Sequence, residues 1–138
     1  LEIYNLKDST HVVRIGPHGE PKFKVAEGYG IPTGIMGFCD VQVTDSAIYA
    51  VFQGRTFKEI AEAARRGDMT DGGRYVYVFS LMGETLRKYE LDHVIYGMFV
   101  DEQCRTIVAT DVNRDEPISE YDMSRCNKKW YKEGSYYR

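Results

Sequence analysis

The residues best placed to do chemistry are an adjacent carboxylate and imidazole, Asp92-His93. A carboxylate beside an imidazole can orient the ring and favour its charged form, as acid–base and ligand-binding sites require. The alternative, which we favour, is that the pair only forms the turn between two strands. The other histidines, His11 and His18, lie in a strand-like run and in a Gly-Pro-His-Gly turn, where solvated surface roles are expected.

A second group of oxygen-bearing side chains lies in the segment Asp111-Val112-Asn113-Arg114-Asp115-Glu116. Asp111, Asn113 and Asp115 alternate along the chain, as the ligands of a calcium loop do. The glycine that such a loop needs at its sixth position is replaced by Glu116, and Arg114 would put a positive charge among the ligands. A hairpin between two strands is therefore the favoured interpretation, with calcium as the alternative, and no other cofactor is expected.

No pattern for nucleophilic catalysis or a phosphate loop is present. The sequence has no Gly-x-Ser-x-Gly elbow, and no cysteine adjoins a histidine. Cys39 is expected to be a small buried residue of an inner strand. Gly28-Tyr29-Gly30 and Gly72-Gly73 lack a following Lys-Ser/Thr and are predicted to be turns. We therefore predict no catalytic residue and no metal ligand set beyond the calcium alternative.

Size and charge narrow the classes of protein and partner. With 138 residues, the chain is one domain or part of one, and it has no stretch of about 20 apolar residues that could span a membrane. Its net charge of -3 supplies no global positive field, so nucleic acid is not expected as a partner, even though lysines alternate with aromatics in Lys128–Lys132. Because the chain begins at Leu1, we expect a processed protein or an excised segment. The three cysteines assign no compartment.

The elements that must position these residues are mostly strands. The chain has 11 Tyr and 6 Phe but only 4 Pro, and aromatic residues favour a pleated sheet. In Tyr75–Phe79 large residues occupy both alternating faces, which predicts a strand covered on both sides. Short strand-like runs separated by turn residues are Glu2–Leu6, His11–Ile15, Ile35–Val43, Ala47–Gln53, Arg74–Leu81, Thr85–Leu91, Val94–Asp101, Arg105–Thr110 and Ile118–Met123.

One segment, at about 56–66, is predicted to be a helix instead. Its apolar residues recur at i, i+3, i+4 and i+7, which predicts that Phe57, Ile60, Ala61 and Ala64 form the docking face. Thr56 followed three residues later by glutamate is a capping-box sequence, and Gly67 supplies the stop.

An internal repeat connects these elements. Ile35-Met36-Gly37-Phe38 matches Ile95-Tyr96-Gly97-Met98 at a spacing of 60 residues, whereas Phe79-Ser80-Leu81 matches Tyr121-Asp122-Met123 at a spacing of 42. The difference of 18 residues corresponds to the helical insertion, 54–73. A period near 42 with four short strands in each repeat predicts the blades of a β-propeller.

The best local match to a known family is Tyr77-Val78-Phe79-Ser80-Leu81-Met82-Gly83-Glu84, an aromatic strand ending in a glycine turn. Together with Ile95–Asp101 and Thr106–Thr110, it resembles the TolB-like six-bladed β-propeller family typical of Bacteroidetes. The resemblance covers roughly residues 35–123 and implies an all-β fold of four-stranded antiparallel blades, an exported (periplasmic or cell-surface) location and no particular activity.

The blade count indicates part of a larger propeller. Residues 1–16 are predicted to be the outer strands of one blade, 34–91 a full blade with its insertion, and 94–138 a further blade ending in a strand at about Trp130–Tyr137. Two and a half blades leave open edges, which favours self-association. The leading functional hypothesis is a non-enzymatic binding or scaffolding propeller. The alternative is a hydrolase or lactonase-like enzyme whose metal or acid–base site lies in the central tunnel, mostly outside this chain.

Strand order predicts where a ligand would bind. Loops that leave second strands and links that enter first strands lie on one rim of antiparallel blades. The helix on that rim would present positive charge and favour a small anionic ligand or a protein, although a helix that only caps a blade is the preferred alternative. The candidate rim residues are Thr33, Lys58, Arg65, Arg66, Asp92, His93, Asp111, Asn113 and Arg114.

Overall fold

The computed structural model describes residues 1–68, 72–111 and 113–125 of the chain. Within these residues the order of elements is β1 (Glu2–Asn5), β2 (Thr10–Val13), β3 (Phe23–Ala26), β4 (Tyr29–Pro32), β5 (Phe38–Val43), β6 (Ala47–Phe52), α1 (Phe57–Arg65), β7 (Gly73–Ser80), β8 (Thr85–Ile95), β9 (Gly97–Asp101), β10 (Thr106–Thr110) and β11 (Ile118–Asp122).

The strands form four antiparallel sheets. The largest has the order β5-β6-β7-β8, so each strand lies beside its neighbour in sequence, as in a propeller blade. A three-stranded sheet follows with the order β9-β10-β11, while β1-β2 and β3-β4 are separate hairpins. The expectation of an all-β chain of antiparallel blades with one inserted helix is confirmed. The predicted strand at Trp130–Tyr137 lies outside the described residues, and the assignment of domain boundaries remains a prediction.

The central strands of the four-stranded sheet, β6 and β7, are buried on both faces because their residues alternate between two apolar clusters. One face packs against the β9–β11 sheet through Tyr49, Val51, Val76, Val78, Tyr89 and Leu91. The opposite face carries Ile48, Ala50, Phe52, Tyr77 and Phe79 and packs against Leu1 and Ile3 of the first hairpin. Each large side chain buried in this way contributes about 1.5–3 kcal/mol. The prediction that Tyr75–Phe79 is covered on both sides is confirmed.

Two side chains of the inner strand β5 join neighbouring sheets. The Gln42 amide donates to the Val100 carbonyl oxygen at 3.2 Å and accepts from the Val100 N–H at 2.7 Å. Two residues earlier on each strand, the Met98 N–H donates to the Asp40 carboxylate at 2.9 Å. These bonds satisfy backbone groups at the edge of β9 that none of the described strands covers. The two sheets are therefore held by directed contacts as well as by apolar packing.

Helix α1 begins as the sequence predicts. The Thr56 hydroxyl accepts from the Glu59 N–H at 3.2 Å, and the Glu59 carboxylate accepts from the Thr56 N–H at 2.7 Å, which completes the capping box. The predicted docking face is wrong in part. Ala63 is the buried residue and Ile60 is half-buried, whereas Phe57 is 53% exposed and Ala64 is exposed. The buried side of the helix is therefore centred on Ala63, and Phe57 lies outside it.

The hairpin β3-β4 falls in a region that the sequence analysis treats as turns and a link. Glu27 and Gly28 form its two-residue loop, and both have positive φ, 53° and 81°. Two consecutive positive φ values define the type I′ turn that suits the twist of a hairpin. The interpretation of Gly28 as a turn residue is right, but Gly30 lies within β4.

Three other features of the structure differ from the sequence-based expectation. Strand β5 begins at Phe38 rather than Ile35, and only an isolated bridge pairs Ile35 with Thr56. Cys39 is exposed rather than buried, because its face of the inner strand is not covered by another described element. The supposed link at Asp92-His93 is part of strand β8, and Tyr96 alone separates that strand from β9.

Candidate functional site

The strand ends of both larger sheets define one surface, which we call the loop edge. Register places Phe52 beside Phe38, Gly73 beside Ile95, and Thr110 beside both Gly97 and Ile118. Because neighbouring strands are antiparallel, the segments that connect these ends lie on the same edge. The loop edge therefore comprises 33–37, 53–72, 92–96 and 111–117, excluding the four residues that the structure leaves undescribed.

A wide bulge in β8 shapes the loop edge beside His93. Tyr75 pairs with Glu90 and Gly73 pairs with Ile95, so β8 advances five residues while β7 advances two. The bulge exposes the carbonyl oxygen of Leu91, which accepts from the Arg74 guanidinium at 3.3 Å through both Nε and Nη2. Bulges redirect side chains and are common beside functional sites.

Four side chains from three segments meet at the imidazole of His93, whose side chain is 21% exposed. Nδ1 lies 2.5 Å from Asp92 Oδ1. On the other ring nitrogen, Nε2, Arg114 Nη1 lies at 2.9 Å and Ser119 Oγ at 3.2 Å. The Tyr121 hydroxyl lies 2.9 Å from both ring nitrogens and donates to Asp92 at 2.8 Å. We call Asp92, His93, Arg114, Ser119 and Tyr121 the His93 cluster.

The electrostatics of the His93 cluster are dominated by a carboxylate in its ionised form. The hydrogen bond from Tyr121 lowers the pKa of Asp92 below its usual range, and the contact with His93 lowers this pKa further. The ionised carboxylate therefore accepts from Tyr121 and from His93 Nδ1. Arg114 lies within 4.0 Å of none of the carboxylates that the structure describes, and its guanidinium is exposed.

The remaining predicted rim residues lie in three places. Asp111 accepts from the Asn113 N–H at 3.0 Å, and its own N–H donates to the Pro117 carbonyl at 2.8 Å, so both residues shape the hairpin that carries Arg114. The Thr33 N–H donates to Lys22 and closes the base of the β3-β4 hairpin. Lys58, Arg65 and Arg66 are exposed on α1 and do not contact His93.

Helix α1 is anchored to the loop edge by the residues that immediately precede it. The Met36 N–H donates to the Arg55 carbonyl at 2.7 Å, and the Gly54 N–H donates to the Met36 carbonyl at 3.0 Å. The Arg55 guanidinium donates to the Gly72 carbonyl at 3.2 Å, which ties the two ends of the insertion together. The helix is thus held at its start, and its Phe57 side projects to solvent.

Sequence reasoning missed three residues of this region, namely Arg74, Ser119 and Tyr121. Ser119 and Tyr121 are two residues apart in β11 and therefore lie on one face of the strand. The alternation therefore predicts that both side chains lie on one face of β11, but it does not predict that they contact the His93 imidazole. Arg74 gives no local signal, because its role depends on the bulge in the neighbouring strand.

Across 1–68, 72–111 and 113–125, no group of three or more His, Cys, Asp or Glu side chains is arranged to hold a metal ion. In the same residues no helix combines the length and apolar character needed to cross a bilayer.

Comparisons with known proteins agree with the sheet topology. No curated protein and no solved structure matches the chain at a significant level. The model of the family described as TolB-like 6-blade propeller-like matches residues 1–103, which is most of the chain and includes the whole four-stranded blade. With its antiparallel blade buried on both faces, the chain belongs to the TolB-like 6-blade propeller-like family.

Proposed function

We propose that this chain is the non-enzymatic, protein-binding part of a propeller and that helix α1 presents its binding surface. Membership of a propeller family supports a scaffold role, since blades hold loops rigidly. The exported location implied by the resemblance belongs to the same proposal, and fractionation of the source cells tests it.

The observation that carries the proposal is the orientation of Phe57. A helix that only capped the blade would turn its largest apolar side chain inward, because burying a phenylalanine is worth about 1.5–3 kcal/mol. Helix α1 instead buries Ala63 and leaves Phe57 53% exposed. Aromatic and arginine side chains are enriched in protein interfaces, and exposed aromatics are common anchors for a partner.

The charge beside Phe57 indicates the chemistry of the partner. At 100° per residue, Lys58 and Arg65 lie on the flank of the helix next to Phe57. Lys58 contacts Glu62 at 3.8 Å, whereas the side chains of Arg65 and Arg66 have no ionic partner among the described residues. An apolar residue bordered by the unneutralised Arg65 fits a protein surface that carries acidic and apolar side chains.

A photo-crosslinking experiment tests the proposal. A benzophenone amino acid replaces Phe57, and the chain is irradiated in extracts of its source cells. We expect one crosslinked protein, which is lost when Arg65→Glu and Arg66→Glu are combined. The matched control, Lys22→Glu with Lys24→Glu, reverses the same number of charges on another exposed segment and should keep the crosslink.

A stability measurement separates binding from capping. Truncating an exposed side chain typically changes the free energy of unfolding by less than about 0.5 kcal/mol, whereas truncating a packed phenylalanine costs about 3–5 kcal/mol. We therefore expect Phe57→Ala to leave the thermal midpoint nearly unchanged. A large fall in the midpoint, or the absence of any crosslinked protein, would show that α1 is only a cap. A crosslink that survives reversal of Arg65 and Arg66 would show that these charges do not select the partner.

A further inference from the structure

We propose that the His93 cluster is a pH-sensitive latch, in which the neutral imidazole holds the Arg114 side chain against β8 and the protonated imidazole releases it. This inference goes beyond the proposed protein-binding role of α1 and uses none of its residues. It follows from the groups that converge on the ring nitrogens and from the fact that a guanidinium cannot accept a hydrogen bond.

The neighbours of the two ring nitrogens indicate which form of the ring this arrangement suits. Nδ1 lies 2.5 Å from Asp92 Oδ1, which belongs to an ionised carboxylate and can only accept, so Nδ1 carries a proton. Nε2 lies 2.9 Å from Arg114 Nη1, which can only donate. A neutral imidazole with its proton on Nδ1 is therefore the form that satisfies both neighbours.

A proton added to Nε2 affects its neighbours differently. Ser119 Oγ lies 3.2 Å away and the Tyr121 hydroxyl 2.9 Å away, and a hydroxyl can rotate to accept from the new N–H. The guanidinium of Arg114 has five donors and no acceptor, so an N–H would face an N–H. Its Nη1 also lies 3.1 Å from Nδ1, which brings two positive charges within a hydrogen-bond length of each other. Protonation therefore breaks the Arg114 contact and spares the hydroxyls.

The charged groups that face the ring act in opposite directions. Asp92, on the same strand, favours the charged ring and keeps its contact with Nδ1 after protonation. Arg114, from the β10–β11 loop, favours the neutral ring. Arg74, on β7, is directed to the Leu91 carbonyl and to Glu90, which it contacts at 3.8 Å. The carboxylate thus lets the ring take up a proton, and Arg114 is the group that must leave.

The other charged groups nearby make no described contact with the ring. They are Asp111, Asp115 and Glu116 of the β10–β11 loop and Glu120 and Asp122 of β11. The last two alternate with Ser119 and Tyr121 and so lie on the opposite face of β11. Asp92 and Arg114 are therefore the two charges that set the response of the latch.

The surroundings of Arg114 allow its side chain to leave without unfolding the hairpin. The side chain is exposed, and none of the described carboxylates lies within 4.0 Å of it. Its backbone N–H donates to the Asp111 carbonyl at 3.3 Å, and Thr110 pairs with Ile118 at the start of the hairpin. These backbone bonds do not depend on the imidazole, so the change is confined to the side chain.

Thermal unfolding of the full chain at pH 8 and pH 5 tests the latch, because imidazoles ordinarily change charge between these values. The Arg114 contact is present when the ring is neutral and is lost as the pH falls. We expect Arg114→Met to lower the thermal midpoint by about 2–5 °C at pH 8 and by less than about 1 °C at pH 5. The matched control Arg125→Met removes an exposed arginine that contacts Asp122 at 3.4 Å, and its effect should be the same at both pH values.

A second variant locates the response at His93. His93→Gln keeps an oxygen that can accept from Arg114 but cannot titrate in this range. In that background, Arg114→Met should have the same effect at pH 8 and pH 5. His11 and His18 are still present, so a general effect of acid on the chain would persist in this variant.

Nuclear magnetic resonance relaxation of the Arg114 Nε–H group measures the release directly in the unsubstituted chain. We expect an ordered side chain at pH 8, a mobile one at pH 5, and no such change in His93→Gln. Equal order at both pH values, an equal effect of Arg114→Met at both, or a pH dependence that survives His93→Gln would overturn the proposal. The combined Arg65→Glu and Arg66→Glu variant should keep the response, so failure of the α1 proposal is distinguished from failure of the latch.

Discussion

Replacing Gln42 by alanine should loosen the junction between the β5–β8 and β9–β11 sheets. The variant loses two hydrogen bonds to the Val100 backbone, each worth about 0.5–1.5 kcal/mol net, so we expect a loss of about 1–3 kcal/mol. With an unfolding entropy of about 2.1 cal/mol/K per residue, a chain of 138 residues has about 0.29 kcal/mol/K. The thermal midpoint should therefore fall by roughly 3–10 °C.

Thermal unfolding followed by circular dichroism measures this effect. The matched control is Gln103→Ala, because Gln103 is exposed and only its backbone N–H has a hydrogen bond described here, to Asp101. We expect the control to shift the midpoint by less than about 2 °C, because a substitution at an exposed position typically changes the free energy of unfolding by less than about 0.5 kcal/mol. Equal shifts in the two variants would refute the reasoning that directed bonds join the sheets.

A charged variant tests the direction of the Gln42 bonds. In Gln42→Glu one carboxylate oxygen still accepts from the Val100 N–H, but the other faces the Val100 carbonyl without a proton to donate. This repulsion raises the pKa of the new carboxyl in the folded state. The stabilising bond is then present at low pH and is lost as the pH rises through that raised pKa, so the variant should regain stability on acidification.

Three further predictions concern other parts of the blade. Arg74→Met should lower the thermal midpoint by several degrees, because the bulge loses the guanidinium donors that satisfy the Leu91 carbonyl oxygen, and thermal unfolding followed by circular dichroism measures this. Burial, and to a lesser extent a hydrogen bond to Glu102, raise the pKa of Tyr49. The contribution of Tyr49 to the free energy of unfolding should therefore be fully present below about pH 10 and decrease as the pH rises beyond it. Denaturant unfolding at a series of pH values should show a weaker pH dependence for Tyr49→Phe. Gly73→Ala should lower the thermal midpoint by several degrees, since its Cβ would lie 2.4 Å from a backbone oxygen, while Gly37→Ala, which has nothing within 4 Å, should not.

The elements that consecutive residues specify could be predicted from the sequence. Helix α1 follows from Thr56, Glu59 and a 3.6-residue period, and the structure contains that capping box. The alternation in Tyr75–Phe79 predicts a strand covered on both faces, and the two apolar clusters confirm it. Both signals are local, because a cap and a pleat depend on neighbours only a few residues away.

The sequence contains a local signal for the hairpin β3-β4, although the sequence analysis predicts only a turn there. Its loop, Glu27-Gly28, separates Phe-Lys-Val from Tyr-Gly-Ile, a two-residue turn between alternating runs. The sequence interpretation placed Gly28-Tyr29-Gly30 in a turn instead, and proline and glycine are depleted in strands. Pro32 is tolerated because, among the described strands, β4 pairs with β3 alone.

The face on which α1 docks shows the limit of periodicity. The spacing of Phe57, Ile60, Ala61 and Ala64 identifies an apolar stripe, but in the structure Ala63 is buried and Phe57 is exposed. Which face of a short helix is buried depends on the shape of the surface that receives it, and close packing leaves little room to adjust. The exposure of the Phe57 side chain is therefore a property of the tertiary structure and does not follow from the spacing.

The sequence by itself determined that the chain is built of antiparallel blades with one inserted helix, and it singled out His93 with Asp92 as residues of interest. Only the tertiary structure decided what His93 meets. Arg114, Ser119 and Tyr121 reach it because β8 bulges against β7 and because two sheets pack face to face. Contacts of this kind join residues more than 20 positions apart, so no local propensity or spacing encodes them, and they exist only once the sheets have assembled.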